Sequence, residues 1–199
     1  MASSSPIYMN RSLSHWLVII AVIASTFYIV AGPYAIDPHN LSWIQNGDPL
    51  QEYLGWQFFR HSAWSSLPPG LNPNYGLEIG SSIVYTDSIP LAAFFFKPFS
   101  PWLADSFHYL GIWTALCFFL QGIIATLLAR LITKDFSLTL LIVGFFLFAP
   151  PFLFRFSFQT PHASHFLILI AIYLNLNCTI KNKSLYWLIL LNAAVLINF

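Results

Sequence analysis

The fold is decided by a run of 21 uncharged residues, YLGIWTALCFFLQGIIATLLA, which extends from Tyr109 to Ala129. A helix needs about 20 mostly apolar residues to cross a bilayer, so this run is long enough for one membrane span. Four other uncharged runs reach a similar length once their polar flanks are counted. The sequence therefore predicts about five transmembrane helices, over residues 16–32, 107–130, 137–155, 164–180 and 184–199.

Composition agrees with a membrane protein. The chain is 57% hydrophobic, 18% aromatic and only 8% charged, whereas about 25% of residues are charged in a typical soluble domain. A soluble domain of 199 residues could not bury so much apolar surface, so we expect an all-α polytopic membrane protein. The net charge of +1 argues against nucleic acid as a partner. Cys117 and Cys178 lie within apolar runs, where a thiol packs as a small hydrophobe, and no disulfide or metal site is predicted.

The basic residues predict the orientation. If residues 1–15 are cytoplasmic, the same side holds five of the eight basic residues: Arg11, Arg130, Lys134, Lys181 and Lys183. These segments are short, so the density of positive charge favours this placement, and residues 33–106 then form a large extracytoplasmic loop. A cleaved signal peptide is the alternative for the first apolar run, although no clean A-x-A cleavage site follows it. Because the chain stops inside an apolar run at Phe199, we expect an N-terminal fragment.

The loop carries nearly all of the acidic residues. Six of the seven fall in it: Asp37, Asp48, Glu52, Glu78, Asp87 and Asp105. Within it, a helix over residues 49–62 is predicted, because apolar residues recur at helical spacing at Leu50, Tyr53, Leu54 and Phe58. Asp48, Gln51 and Glu52 share the opposite face. A helix with so much aromatic surface is expected to lie in the headgroup region of the membrane.

Asp48 has two compatible interpretations. In the first it caps the helix, with Pro49 at the first helical position and Gln51 completing a capping box. In the second it presents a carboxylate at the membrane surface as a general base toward a hydroxyl acceptor. A capping carboxylate keeps one oxygen free, so the first interpretation does not exclude the second.

The rest of the loop offers weaker candidates. Glu78 lies in a turn-rich stretch, where it is either a solvated acid or a binding group. Asp87 precedes a short helix predicted over residues 88–97, which is too short to span and is therefore interfacial or re-entrant. Backbone amides at the start of that helix could bind a phosphate. Lys97 at its end could pair with the phosphate or simply snorkel to the interface.

A second polar cluster follows the third predicted span. Arg155 is succeeded by Gln159, Thr160, His162 and His165, on the same predicted side of the membrane as the acidic loop. Arg155 is a candidate contact for an anion or phosphate. The two histidines are three residues apart, but no acid or cysteine lies near them in the sequence, so a metal site is not favoured.

The order of a cytoplasmic N-terminus, one span, a long outer loop with an early acid, an interfacial helix and then further spans resembles the GT-C glycosyltransferases. The residues 48–60 (DPLQEYLGWQFFR), 71–82 (LNPNYGLEIGSS) and 86–90 (TDSIP) are also similar to a bacterial family of multi-spanning proteins of unknown function. That family is itself thought to be related to the glycosyltransferases. The enzymes often have paired acids after the first span, whereas here Pro49 follows Asp48 and the next acid is Glu52.

The resemblance implies a function and a site. It implies a GT-C-like enzyme of the bacterial inner membrane that moves a sugar from a polyprenyl-phosphate carrier to an extracytoplasmic acceptor, with the lipid-linked sugar as donor substrate and no cofactor. Asp48 matches the catalytic acid, and Lys97 or Arg155 would contact the lipid phosphate. We expect the remaining substrate contacts at Gln51, Glu52, Glu78 and Asp87. The alternatives are a transporter of a lipid-linked substrate, a non-catalytic membrane subunit, or an inactive fragment. Membrane lipid is an expected partner in each case, and protein partners are not predicted.

Overall fold

The computed structural model describes residues 6–64, 67–77, 79–177 and 183–198 and is mostly helical, which confirms the predicted all-α class. The helices are α1 (Pro6–Ala31), α2 (Asp48–His61), α3 (Pro90–Phe96), α4 (Leu110–Ile132), α5 (Phe136–Leu147), α6 (Pro150–Phe158), α7 (Phe166–Asn177) and α8 (Lys183–Asn198). Two 3₁₀ helices, Lys97–Trp102 and Thr160–Ala163, and the antiparallel two-residue strands β1 (Leu71–Asn72) and β2 (Ser81–Ser82) are the other described elements.

Within the part of the chain that the structure describes, two helices are long and apolar enough to cross a membrane. They are the 19 residues Leu13–Ala31 of α1 and the 23 residues of α4. A third span is present if α5 and α6, which meet at a bend of 49°, count as one broken helix. The described parts of α7 and α8 are 12 and 16 residues long, against the roughly 20 residues that a bilayer requires. The structure therefore supports two or three of the five predicted spans.

Two prolines explain the bend within the predicted third span. Helix α5 begins with Asp135 as its cap, whose carboxylate accepts a hydrogen bond from the Leu138 amide at 2.8 Å. The helix ends just before Pro150 and Pro151, which occupy the first positions of α6. Proline has no amide proton and its ring clashes with the preceding turn, so it starts a helix more readily than it continues one.

Helices α1 and α4 pack closely side by side. A side chain at Gly122 of α4 would come within 2.6 Å of Ile23 on α1, so the absence of a side chain there allows the helices to approach. Ile19, Ile23 and Phe27 of α1 are four residues apart and are all buried, which is the spacing of one helix face. Small residues at such contacts are typical of helices that associate in lipid.

An aromatic cluster joins this pair to α6. Phe27 lies 5.6 Å from Phe118 of α4 and 6.1 Å from Phe156 of α6, measured between ring centroids, and both pairs are edge-to-face. Phe152 lies 5.5 Å from Phe118. Edge-to-face rings stabilise a core beyond their buried area, by about 0.5–1.5 kcal/mol for a pair. The cluster therefore fixes α6 against α1 and α4.

The face that α2 buries is not the predicted apolar stripe. Its buried residues are Pro49, Glu52, Gly55, Trp56, Phe59 and Arg60, whereas Phe58 of the predicted stripe is 39% exposed. Trp56 is fully buried and its indole N–H donates to the carbonyl oxygen of Phe107 at 3.0 Å. Glu52 and Arg60 have polar partners in distant segments, which makes their burial tolerable. Helix α2 is therefore part of the interior of the folded loop.

Candidate functional site

The candidate site lies where the start of α2 meets two other segments. One is the turn at residues 86–88, and the other is the stretch Gln159–His162 that follows α6. Three carboxylates from the loop lie near these segments: Asp48, Glu52 and Asp87. We call these three residues, with Gln159, Thr160 and His162, the acidic cluster.

Asp48 is exposed in the first turn of α2, and it does not cap the helix. Gly47 occupies the cap position with φ of 68°, a conformation that glycine adopts easily, and no side chain makes a cap hydrogen bond. The expected capping box is therefore absent. Gln159 Nε2 instead donates to Asp48 Oδ2 at 3.0 Å. One oxygen of the carboxylate is held in place, and Oδ1 has no hydrogen-bond partner among the described residues.

Glu52 lies one helical turn after Asp48 and is only 1% exposed. Its Oε2 atom accepts a short hydrogen bond from the hydroxyl of Thr160. Burial raises the pKa of Glu52 to about 8, the nearby charges of Asp87 and Asp48 act in the same direction, and the hydrogen bond from Thr160 opposes them. Glu52 is therefore mainly protonated at neutral pH. The cluster combines an exposed carboxylate with a buried carboxylic acid.

The turn at residues 86–88 is clamped onto α2. Ser88 Oγ donates to the carbonyl oxygen of Glu52 at 2.7 Å, and the hydroxyls of Thr86 and Ser88 are 2.8 Å apart. A side chain at Gly55 would come within 2.2 Å of Thr86 Oγ1 and 2.3 Å of Ser88 Oγ. Tyr109, at the start of α4, donates from its hydroxyl to the Ser88 carbonyl oxygen. The backbone that carries Glu52 is thus fixed to the end of a candidate span.

Asp87 is held in this clamped turn with φ of 52°. Aspartate is one of the few residues other than glycine that enter this left-handed region regularly. Its side chain is exposed, yet partial burial raises its pKa; the charge of His162 lowers the pKa and that of Asp48 raises it. Asp87 is therefore close enough to both residues to affect the charge of the cluster.

Two adjoining grooves lead to Asp48. The first, of about 340 Å³, begins at the end of α1 and is lined by Val30, Ala31, Gly32, Pro33, Tyr34, Ala35, Asn40, Ser42, Trp43, Thr114 and Phe156. The second, of about 380 Å³, is lined by Ser42, Trp43, Gln45, Asn46, Gly47, Asp48 and Pro49. They share Ser42 and Trp43. Trp43 Nε1 is buried and has no hydrogen-bond partner among the described residues.

The other predicted site residues are more dispersed. Gln51 is exposed in the first turn of α2, next to the cluster. Arg155 is half-buried and lines a separate pocket of about 390 Å³ together with His162, Ser164 and His165. It is linked to the cluster through His162. Glu78 lies outside the described residues.

Lys97 is far from the acidic cluster. It is 3% exposed, its ammonium group donates to Ser62 Oγ at 2.7 Å, and it lies 3.8 Å from the centre of the Phe59 ring. Burial lowers the pKa of Lys97. Ser62 follows the last residue of α2, and Asp48 is the first. At 1.5 Å per residue, the two ends of this helix are about 20 Å apart.

Gln159 and Thr160 belong to the site, although the sequence did not assign them to it. They hydrogen-bond to Asp48 and Glu52 across separations of 111 and 108 residues. The only signal in the sequence was a polar stretch on the same predicted side of the membrane as the acidic loop. Nothing in the sequence pointed to Ser88 or Tyr109. A serine in a loop and a tyrosine at an interface are too common to indicate a role in a site.

Comparison with known proteins identifies a family without a known function. No curated protein and no solved structure matches the chain. The sequence profile of a domain of unknown function, DUF6311, matches residues 18–199, which is most of the chain. The chain therefore belongs to the DUF6311 family.

Proposed function

We propose that the chain is part of a membrane glycosyltransferase that moves a sugar from a polyprenyl-phosphate carrier to an extracytoplasmic acceptor. The observation that carries this proposal is Asp48: its carboxylate is exposed on a groove, held through Oδ2 by Gln159, and free at Oδ1. A general base needs this combination of fixed orientation and an available oxygen. The resemblance to GT-C enzymes, in which an acid of the first outer loop is catalytic, supports the same residue.

In the proposed reaction Asp48 acts on the acceptor hydroxyl. As the acceptor oxygen forms a bond to the anomeric carbon, its proton passes to Asp48 Oδ1. The bond between that carbon and the carrier phosphate oxygen breaks on the opposite face, so the configuration inverts, and polyprenyl phosphate leaves with the electron pair. Of the two proposed phosphate contacts, Arg155 is the nearer to the cluster. It lines a pocket together with His162, which is itself a member of the cluster.

The proposal includes a topology. Residues 1–15 lie in the cytoplasm, five spans cross a bacterial inner membrane, and residues 33–106 lie outside. The distribution of basic residues supports this orientation. Among the described helices, the two that are long enough to cross a membrane flank the loop, which supports a placement with both ends of the loop at one face of the bilayer.

The test replaces Asp48 with asparagine in the full chain. We expect Asp48→Asn to lower sugar transfer by about 100-fold or more, because general-base catalysis contributes about 10²–10⁴-fold. Transfer is measured in membranes with a labelled polyprenyl-phosphate sugar. The matched control is Asp105→Asn, an identical change at an exposed acid of the same loop that is near Arg60 rather than the cluster. Full transfer by Asp48→Asn at a normal level of membrane insertion would contradict the proposal.

The buried acid Glu52 supports a second candidate function, a proton-coupled transporter of a lipid-linked substrate. A buried carboxyl with a pKa of about 8 can gain or lose a proton near neutral pH, as acids in transporters do. Glu52→Gln separates the two functions, because glutamine resembles the protonated acid but carries no exchangeable charge. A transferase should keep most of its transfer activity with Glu52→Gln, whereas a proton-coupled transporter should lose coupled flux. Glycan composition is then compared with lipid flux in the same membranes.

A further inference from the structure

A pocket lined by basic residues lies at the end of the α1–α4 pair that is farther from the acidic cluster. It has a volume of about 370 Å³ and is lined by His15, Arg130, Thr133, Lys134, Phe136 and Thr139. Helix α4 has 23 residues, so this pocket is about 30 Å from the acidic cluster along the helix. We call it the basic pocket.

Two of its basic groups are positioned by aromatic rings. The guanidinium of Arg130 lies 4.5 Å from the centre of the Trp16 ring, which is a cation–π contact. The His15 ring stacks on Phe136 with the ring centres 4.1 Å apart and the planes within 12°. A guanidinium held by its face keeps the N–H groups along its edge for a ligand. The pocket therefore presents fixed donors together with the mobile ammonium group of Lys134.

Carboxylates do not compete for these donors in the pocket. None of the six lining residues is acidic. Neighbouring Asp135 is not one of them, and its Oδ1 caps α5 by accepting a hydrogen bond from the Leu138 amide at 2.8 Å. Thr133 Oγ1 accepts a hydrogen bond from the Asp135 amide at 3.0 Å. A hydroxyl that accepts through its oxygen can still donate its proton. Arginine, lysine and threonine donors around an acid-free cavity are suited to a phosphate group.

The position of the pocket points to the source of that phosphate. Arg130 and Lys134 lie at the end of the candidate span Leu110–Ile132, and His15 lies near the start of the candidate span Leu13–Ala31. If these helices cross a membrane, the pocket is at the level of the lipid headgroups. Tryptophan is enriched at that level, and Trp16 forms one side of the cation–π contact there.

We propose that the basic pocket binds the phosphate of an anionic phospholipid headgroup in the leaflet opposite the acidic loop. The lipid would hold the ends of α1, α4 and α5 together on that side, because residues of all three helices line the pocket that it fills. The inference rests on the membrane placement and not on sugar transfer. A failure of the Asp48 test would therefore leave it standing, and its own failure would leave the transferase proposal standing.

The test measures which lipid the purified full chain retains. The chain is solubilised in detergent, exchanged with equimolar phosphatidylglycerol and phosphatidylcholine, and analysed by native mass spectrometry. We expect preferential retention of phosphatidylglycerol. Each cation near an anionic headgroup favours binding by about fivefold, so Lys134→Gln should lower the preference about fivefold and Arg130→Gln/Lys134→Gln about 25-fold. The matched control, Arg130→Lys/Lys134→Arg, keeps both charges and should keep most of the preference.

Two outcomes would overturn the proposal. One is equal retention of the two lipids by the wild-type chain, and the other is an unchanged preference in the double glutamine variant. Added inorganic phosphate distinguishes the possible sources: displacement of phosphatidylglycerol by phosphate in proportion to its concentration would show a site for free phosphate instead. Both substituted residues are exposed, so the variants should fold, and circular dichroism of the same samples checks that they do.

Discussion

The two ends of the α1–α4 pair hold their charged groups in opposite ways. At the loop end the charged or ionisable groups of Glu52, Arg60 and Lys97 are nearly inaccessible to solvent. Each has a specific partner; the guanidinium of Arg60, for example, donates to three backbone carbonyls of residues 100, 103 and 104 at 2.9–3.0 Å. At the other end Arg130 and Lys134 are exposed, and the contact recorded for Arg130 is with an aromatic ring.

The difference in burial implies that the charged groups have different roles at the two ends. Burying a polar or charged group costs free energy unless its hydrogen bonds are replaced, so the loop end folds only if its whole network forms. Arg130 and Lys134 at the basic end are exposed, so folding does not require hydrogen-bond partners for them. Their cations remain available to a ligand. The buried charge at the loop end is therefore coupled to folding, whereas the exposed charge at the basic end is available for binding. The predictions below test that contrast by perturbing one end and then the other.

The largest effect concerns the pH dependence of stability and arises from Glu52. Its pKa is about 8 in the folded chain against 4.5 for an ordinary glutamate. Between these values the unfolded chain has released the proton that the folded chain still holds, so stability falls as the pH rises. At about 1.4 kcal/mol for each pH unit, we expect a loss of about 4 kcal/mol from pH 5 to pH 8. Thermal unfolding in detergent, followed across this range, measures it.

Glu52→Gln isolates this contribution. The amide oxygen of glutamine can still accept from Thr160, but the side chain cannot ionise. The difference in stability between the variant and the wild type should therefore favour the variant more strongly as the pH rises. Asp105→Asn, at an exposed acid, should show no such trend. A difference between Glu52→Gln and wild type that does not vary from pH 5 to pH 8 would show that Glu52 is not buried as an acid.

A somewhat smaller effect is expected from Gly55→Ala. The added methyl group would lie within 2.2 Å of Thr86 Oγ1 and 2.3 Å of Ser88 Oγ. Both hydroxyls are tied to backbone carbonyls, of Ile83 and of Glu52, so they cannot move without breaking the clamp. Overpacking of this kind costs about 3 kcal/mol. The expected result is a lower unfolding midpoint together with weaker sugar transfer.

The matched control is Gly144→Ala in α5, where an added methyl group would meet nothing within 4 Å. Alanine is favoured over glycine in a helix by up to about 1 kcal/mol, so this variant should be as stable as the wild type or slightly more stable. Equal stability of the two alanine variants would mean that the turn at residues 86–88 does not clamp α2.

Local patterns predicted some of the helices closely, but they did not predict the break between α5 and α6 or every residue of the candidate site. The long run before Arg130 gave α4, and the spacing of apolar residues gave α2 within one residue of its start and end. Asp48 was singled out because it stands at a helix start in the outer loop. The spacing of apolar residues could not indicate which face of α2 is buried. It ranks residues by polarity, whereas Glu52 and Arg60 are buried with partners more than 40 residues away.

Contacts between residues that are distant in the sequence also explain why some site residues were not predicted to lie together. Thr160 follows α6, which meets α5 at a bend of 49°, and a bend angle cannot be read from residue order. Lys97 was expected at a phosphate because it ends a short apolar helix. It is instead buried against the ring of Phe59. This contact joins residues that are far apart in the sequence, so a local pattern could not predict it. Its role as a phosphate contact stays an untested prediction.

The smallest effect returns to the basic end. Arg130→Gln removes the cation–π contact with Trp16, which lies 4.5 Å away, but it leaves no buried group without a partner. An exposed contact of this kind contributes about 0.5–1 kcal/mol, so the unfolding midpoint in detergent should fall by only a degree or two. Arg130→Lys should fall by less, because lysine keeps the charge over the ring. If Arg130→Gln instead lowered stability as much as Gly55→Ala in lipid-free detergent, the basic end would be coupled to folding as the loop end is, since no headgroup would be present to account for the loss.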